Sequence, residues 1–273
     1  MLLSLRRLSS KPIPVVLNTE TIGEGGRPLI VLHGLFGHIQ NWRSVGKALA
    51  SKLRRRIVLT DLRNHGSSPW KETMTYDEMA EDVAEVARRV GDGERVDILG
   101  HSMGGKTAME VVDEYPDLFD KVIVEDVAPR RYTANVKLFR QYIGGMRSLD
   151  LTKPKAHLSK DLEKSIPEKE VRDFILTNIT TREGRNAWRV NLDAISPNLD
   201  HLLGMSRLEG VYPRPALFLH GGASNYLLPS DHTTILKHFP LAKIEAIPEA
   251  GHWVHAQKPA LFIASVDRFL HSS

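Results

Sequence analysis

The sequence contains no cysteine among its 273 residues. Disulfide bonds, cysteine-ligated zinc, iron–sulfur centres and thiol catalysis are therefore excluded. It also has no apolar run approaching the roughly 18 residues that a membrane-spanning helix requires, so no membrane span is expected. With 41% hydrophobic and 26% charged residues, the composition is that of a globular protein rather than a disordered or fibrous chain.

The excess of positive charge is small and is concentrated near the N-terminus. The chain has 37 Lys and Arg against 33 Asp and Glu, a net charge of +4. Arg6, Arg7 and Lys11 precede the first carboxylate, Glu20, and removing those three from the 37 basic residues leaves 34 against 33 acidic ones. This balance gives no reason to expect a nucleic-acid partner.

The first twelve residues, MLLSLRRLSSKP, mix leucine, serine and arginine, as a mitochondrial transit peptide does. We therefore expect residues 1–14 to form a targeting segment of a mitochondrial protein. The other interpretation is a frayed terminus that guides nothing, in a protein that stays cytoplasmic. The folded domain is expected over 15–273.

Short apolar runs alternate along the chain with amphipathic helical patterns. The runs predict buried strands at 29–32, 57–59, 96–99, 122–124, 216–219 and 243–247, with an edge strand within 15–22. Apolar spacing predicts helices over 42–52, 76–90, 103–114, 231–238 and 258–270. This alternation is typical of an α/β fold, a mostly parallel sheet flanked by helices. Such folds bind ligands at the carboxyl ends of their strands.

The stretch from about 130 to 212 breaks the alternation. It shows no convincing strand, and prolines separate its helical patterns at 134–149, 167–179 and 184–195. We expect a helical lid inserted above the sheet, near the strand ends, because its flanking strands end there. A packing subdomain with no gating role would give the same pattern.

Residues 100–107, GHSMGGKT, follow a predicted strand and open a predicted helix. They match G-x-S-x-G, the sharp turn that presents a serine nucleophile, with Gly100 and Gly104 where bulk would clash. They also match G-x4-G-K-[ST], a phosphate-binding loop in which Lys106 would reach phosphates and Thr107 would hold magnesium. A structural turn without chemistry is the third interpretation.

The rest of the sequence favours a nucleophile at Ser102. A serine nucleophile needs a histidine base, and His252 follows the last predicted strand, within GHWVH. It also needs donors for an oxyanion, and the glycine-rich turn HGLFG, residues 33–37, follows the first buried strand. The backbone N–H groups of Leu35 and Met103 are the expected donors. We therefore expect a hydrolase, with a nucleotide-binding protein or a non-catalytic ligand- or partner-binding protein as alternatives.

Four segments together resemble a known family: HGLFG (33–37), DLRNHGSS (61–68), GHSMGG (100–105) and GHWVHA (251–256). Over roughly residues 15–271 the chain resembles the alpha/beta-hydrolase superfamily. The second and fourth segments are similar to the small-esterase group of alpha/beta-hydrolase domain-containing protein 11. The resemblance implies hydrolysis of esters or thioesters by a serine–acid–histidine triad without a cofactor.

Three aspartates are candidates for the triad acid. In the superfamily the acid commonly follows the strand before the last, but the loop there, residues 220–226, has no carboxylate. Asp126 is the expected acid, because a right-handed crossover places its strand beside that of Ser102. Its other interpretation is as a cap of the following turn. Asp193, in the lid, keeps the usual chain order and is the alternative acid, while Asp231 is expected to cap a helix.

The remaining histidines form neither a His-x3-His nor an HExxH pattern, so no metal is predicted. The expected substrate is a small-molecule acyl ester or thioester. Because no long apolar surface stretch indicates binding at a lipid interface, short or medium acyl groups are favoured. The sequence leaves open the residues that bind the substrate and any protein partner.

Overall fold

A computed structural model describes residues 11–204 and 208–272 of the chain. The strands are β1 (Thr19–Ile22), β2 (Leu29–Leu32), β3 (Ile57–Thr60), β4 (Val96–His101), β5 (Phe119–Glu125), β6 (Ile179–Arg182), β7 (Arg185–Trp188), β8 (Ala216–Gly221) and β9 (Ala242–Ile247). Seven of them form one sheet in the order β1-β3-β2-β4-β5-β8-β9. Its neighbouring pairs are parallel, except that β1 runs antiparallel to β3 at one edge. The predicted α/β fold with a mostly parallel sheet is confirmed, and the predicted edge strand is present.

The helices are α1 (Ile39–Leu53), α2 (Tyr76–Gly91), α3 (Met103–Glu114), α4 (Thr133–Ser148), α5 (Lys155–Leu162), α6 (Lys169–Leu176), α7 (Leu192–Leu202), α8 (His232–His238), α9 (Val254–Gln257) and α10 (Pro259–His271). Helices α2, α3 and α8 bury apolar side chains against one face of the sheet. Helices α1 and α10 cover the opposite face. The sheet is therefore enclosed between two helical layers, as its apolar strands require.

Alternation along the strands builds the two cores. In β2, Ile30 and Leu32 pack on the α2–α3 side, whereas Val31 packs on the α1–α10 side. Successive side chains of a strand point to opposite faces. A strand that is apolar at every position, as LIVL is, therefore stabilises both layers at once.

The segment between β5 and β8 forms a cap, which we define as α4 to α7 with the hairpin β6–β7. The prediction of no strand in this segment is wrong, because β6 and β7 pair antiparallel over 179–188. The helix predicted over 184–195 is correspondingly wrong, and α7 begins only at Leu192. The hairpin turn at Glu183 and Gly184 has positive φ at both residues, 51° and 75°, a backbone that suits a two-residue hairpin and ends a helix. Helix α5 was not predicted.

Within the described ranges, no helix is long and apolar enough to cross a membrane. Most of the predicted targeting segment, residues 1–10 of 1–14, lies outside the described residues.

Candidate active site

Ser102 stands at the turn between β4 and α3. Its backbone, with φ of 52° and ψ of −116°, lies outside the regions that residues with a side chain ordinarily adopt. The turn is tight enough to require glycine on both sides. A Cβ on Gly100 would lie 2.1 Å from the carbonyl oxygen of Gly104, and one on Gly104 would lie 2.6 Å from that of His33. The geometry matches the sharp turn predicted from G-x-S-x-G.

The side chains that a phosphate-binding loop would need are engaged inside the protein. Lys106 is only 2% exposed. Its Nζ donates to the carbonyl oxygen of Arg130 at 2.9 Å and also to that of Gly204. Burial lowers the pKa of Lys106 to about 7. The hydroxyl of Thr107 donates to the carbonyl oxygen of Met103 at 2.9 Å. These contacts oppose the nucleotide-binding alternative.

A buried carboxylate orients the imidazole of His252. Nδ1 of His252 lies 2.7 Å from Oδ2 of Asp126, which is 0% exposed. The same Oδ2 accepts the hydroxyl of Ser224 at 2.6 Å, and Oδ1 accepts the N–H of Gly221 at 3.0 Å. The ring of Tyr226 stacks on the imidazole with centroids 3.8 Å apart. Asp126 thus restrains the imidazole through a hydrogen bond at one edge, and Tyr226 restrains it by packing against one face.

The other two aspartates weighed from the sequence lie elsewhere. Asp193 is on α7, with 91% of its side chain exposed and an ion pair to Arg147 at 2.7 Å. Asp231 stands at the N-cap position of α8 but makes no capping hydrogen bond to that helix, and its Oδ2 instead accepts the N–H of Leu228 at 2.9 Å. Of the three, Asp126 is the one that the structure brings to His252.

Two cavities adjoin Ser102. The larger, with a volume of about 150 Å³, is lined mainly by apolar side chains and also by His252. The smaller, of about 20 Å³, is lined by Leu35, Met103 and Lys106 among others. Both residues predicted to supply oxyanion donors therefore lie at a cavity that contains Ser102. Met103 is the first residue of α3, where backbone N–H groups have no intrahelical partner and the helix dipole favours negative charge.

Several groups that shape the site were not predicted. Ser224 and Tyr226 come from the loop 220–226, which has no carboxylate where the family commonly places its acid. Because β8 lies beside β5, this loop meets Asp126 and supplies donors to it instead of an acid. The cap lines the larger cavity with Leu138, Phe139, Tyr142, Val171, Phe174 and Ile175.

Buried histidines support the glycine-rich turn 33–37. Nε2 of His65 accepts the N–H of Phe36 at 3.2 Å, and Nε2 of His33 accepts the N–H of Leu62 at 3.0 Å. Burial lowers the pKa of both histidines, that of His65 to about 3. Each Nε2 faces an N–H donor and so acts as an acceptor, which only the neutral form of the ring allows.

His101, Glu125 and His255 are the cluster of metal-ligating type found among the described residues, with candidate ligand atoms within 4.8 Å of one another. Nδ1 of His255 lies 2.8 Å from Oε1 of Glu125, and Nε2 of His101 lies 2.9 Å from the carbonyl oxygen of His252. These contacts engage one ring nitrogen of each histidine within the protein. We interpret the group as a hydrogen-bonded cluster.

A family model described as the alpha/beta hydrolase fold matches residues 27–259. The chain therefore belongs to the alpha/beta-hydrolase family, and the resemblance recognised in its motifs is confirmed.

Similar proteins narrow the class. The sn-1-specific diacylglycerol lipase ABHD11 of Danio rerio is 39% identical over 265 residues, covering 94% of this chain and 83% of that protein. Esterase YbfF of Escherichia coli is 29% identical over 249 residues, covering 89% and 93%. A solved structure described as a marine microorganism esterase is 39% identical, covers 93% of this chain and 99% of that one, and has a TM-score of 0.88. The present chain is an enzyme of the carboxylic ester hydrolase class, which removes the non-catalytic alternative.

Proposed function

We propose that the enzyme hydrolyses carboxylic esters or thioesters of short-to-medium acyl groups, with Ser102, His252 and Asp126 as its catalytic triad. One observation carries the proposal: His252, held at 2.7 Å by Asp126, lines the same cavity as Ser102. A base held by a buried carboxylate beside a strained serine is the arrangement that acyl transfer to serine needs.

The first half of the reaction acylates the enzyme. Nε2 of His252 takes the proton of Ser102 while Oγ attacks the acyl carbonyl. The Nδ1 proton stays on the imidazole and donates a hydrogen bond to Asp126. The N–H groups of Leu35 and Met103 stabilise the negative charge that develops on the carbonyl oxygen. His252 then gives its proton to the departing alcohol or thiol, and the acyl group stays on Ser102 as an ester.

The second half releases the acid. His252 accepts a proton from water as that water attacks the acyl ester, and the same N–H groups bind the second oxyanion. Collapse of the intermediate returns the proton to Ser102 and frees the carboxylic acid. This sequence of steps requires no cofactor.

The size of the larger cavity supports the proposed acyl range. A cavity of 150 Å³ equals in volume an engineered protein cavity that holds benzene, so a group of about six carbon atoms fits it. The smaller cavity, of about 20 Å³, has room for about one water-sized group. Four relatives carry the name sn-1-specific diacylglycerol lipase, so diacylglycerol belongs among the substrates tested.

The proposal is tested with ester and thioester series from acetyl to palmitoyl, together with emulsified diacylglycerol. We expect wild-type enzyme to prefer soluble short and medium esters, and Ser102→Ala to lose that activity. Preferential turnover of emulsified long-chain lipid would overturn the acyl range. Undiminished turnover by Ser102→Ala would overturn the nucleophile.

We also propose that residues 1–14 direct the protein to mitochondria. The support is compositional: leucine, serine and arginine dominate, and no carboxylate precedes Glu20. A fluorescent reporter carrying residues 1–20 should enter mitochondria, and a diffuse cytosolic signal would overturn this proposal.

A further inference from the structure

The residues directly before Ser102 and Asp126 lie opposite each other on two neighbouring strands of the sheet. His101 and Glu125 are register partners on the neighbouring strands β4 and β5. The residues two positions earlier on each strand pack in the core beneath α1 and α10. Because strand residues two apart share a face, both side chains lie on that side of the sheet.

Both side chains bind the segment that carries His252. Nε2 of His101 lies 2.9 Å from the carbonyl oxygen of His252, so this ring nitrogen donates. Oε1 of Glu125 accepts the backbone N–H of His255 at 2.9 Å and its Nδ1–H at 2.8 Å. His101, Glu125 and His255 are all buried, so water does not compete for these hydrogen bonds.

Aromatic side chains of α1 and α10 hold the ring of His255 in place. Its ring stacks on Trp42 with centroids 4.0 Å apart, and Phe262 meets it edge-on at 6.1 Å. His252 is therefore anchored at two points along the chain, at its own carbonyl and three residues later.

The cluster is costly to bury, which favours a role beyond packing. Burial raises the pKa of Glu125 to about 7 and lowers the pKa of His101 and His255 to about 3. Oε2 of Glu125 has no hydrogen-bond partner within the described part of the chain. A buried polar atom without a partner destabilises a fold, and an apolar side chain would fill the same space.

We propose that His101 and Glu125 are positioning residues that set His252 relative to Ser102 and Asp126. The inference rests on the proposed function. Each anchor belongs to the strand whose next residue is Ser102 or Asp126, so movement of the His252 segment against either strand breaks an anchoring bond. Misplacing a catalytic group by about 1 Å lowers the rate by about 100-fold, so these bonds act on the chemical step.

Two pairs of variants separate hydrogen bonding from packing. Glu125→Leu removes the acceptor, whereas Glu125→Gln keeps an oxygen in place. His101→Phe removes the donor, whereas His101→Gln keeps a side-chain N–H. We expect the Leu and Phe variants to lose about 10- to 100-fold in kcat with KM unchanged, and the Gln variants to retain most of the activity. Glu24→Leu, at an exposed glutamate in the turn before β2, is the matched control and should keep wild-type kcat.

Active sites are counted by titration to completion with a fluorophosphonate, and kcat is calculated per labelled Ser102. A lower kcat per labelled serine in the Leu and Phe variants supports positioning. A smaller labelled fraction with unchanged kcat per labelled serine shows a merely structural role and overturns the inference. So does an equal loss in the Gln variants. Wild-type protein that neither labels at Ser102 nor hydrolyses esters overturns the proposed function itself, which distinguishes the two failures.

Discussion

The imidazole of His252 lies 2.7 Å from the carboxylate of Asp126, although 126 positions separate the two residues in the chain. The order of the strands in the sheet explains why these two residues lie close together. Strands β4, β5, β8 and β9 are consecutive and parallel, so the segments that follow them meet at one edge. Ser102, Asp126, Ser224 and His252 follow these four strands in that order.

Asp126→Asn should lower kcat about 1,000- to 10,000-fold, because an amide in this position favours the wrong imidazole tautomer. Steady-state hydrolysis of a soluble short-chain ester measures the effect. Asp193→Asn, at the exposed alternative acid, is the matched control and should stay near wild type. Loss in Asp193→Asn with activity retained in Asp126→Asn would reverse the assignment of the acid.

Ser224→Ala should reduce kcat about tenfold, a smaller loss than that of Asp126→Asn. The substitution removes one of the hydrogen bonds to the Asp126 carboxylate, and such a bond to a charged group contributes about 1.5–3 kcal/mol. Ser230→Ala, at an exposed position of the same connection, provides the comparison. Indistinguishable rates for the two variants would show that Ser224 does not support the acid.

Phe174→Ala tests whether the cap selects the substrate. Phe174 lines the larger cavity, and its ring lies 5.4 Å from that of Trp253. Truncation enlarges the cavity, so kcat/KM for longer acyl chains should rise about tenfold relative to short ones. The exposed Leu236→Ala is the control. An unchanged chain-length profile in Phe174→Ala would favour a cap that only packs.

Lys106→Met tests whether the buried ammonium of Lys106 loses its proton in the native state. The test is the pH dependence of the free energy of unfolding. In the unfolded chain this lysine keeps its proton up to an ordinary pKa of 10.5, whereas burial lowers its pKa in the native state to about 7. Between these pH values the unfolded state binds more protons, so the lysine's contribution to stability rises with pH.

Urea unfolding should therefore show the free energy of unfolding of wild type increasing relative to Lys106→Met from pH 7 upward. The slope is at most about 1.4 kcal/mol per pH unit. Lys47→Met, at an exposed helix position, should run parallel to wild type. A flat or falling difference for Lys106→Met would contradict a lysine that loses its proton in the native state.

Local chemistry made the sheet and the serine turn predictable. Apolar runs such as LIVL fit a strand buried on both faces, and Gly100 and Gly104 mark a turn too tight for a Cβ. The cap hairpin was missed because its strands are short and mostly half-buried or exposed, so no apolar run indicates them. Only its turn residues, Glu183 and Gly184, carried a local signal.

The hydrogen bonds that hold Asp126 and His252 in place could not be predicted from local sequence patterns. Ser224 binds Asp126 through the pairing of β8 with β5, and His101 reaches His252 across 151 positions of the chain. The position of Asp126 near the serine turn was predictable because one helix and one strand separate it from Ser102. Its hydrogen-bond donors depend on strand order, which nothing in residues 220–226 specifies.

The proposed triad requires Ser102 to be an activated nucleophile. The most direct measurement is intact-mass analysis and peptide mapping of fluorophosphonate-treated protein, with Ser102→Ala in parallel. We expect one adduct, on Ser102, that is absent from the variant. No adduct on folded wild-type protein, or an adduct that persists in Ser102→Ala, would contradict it.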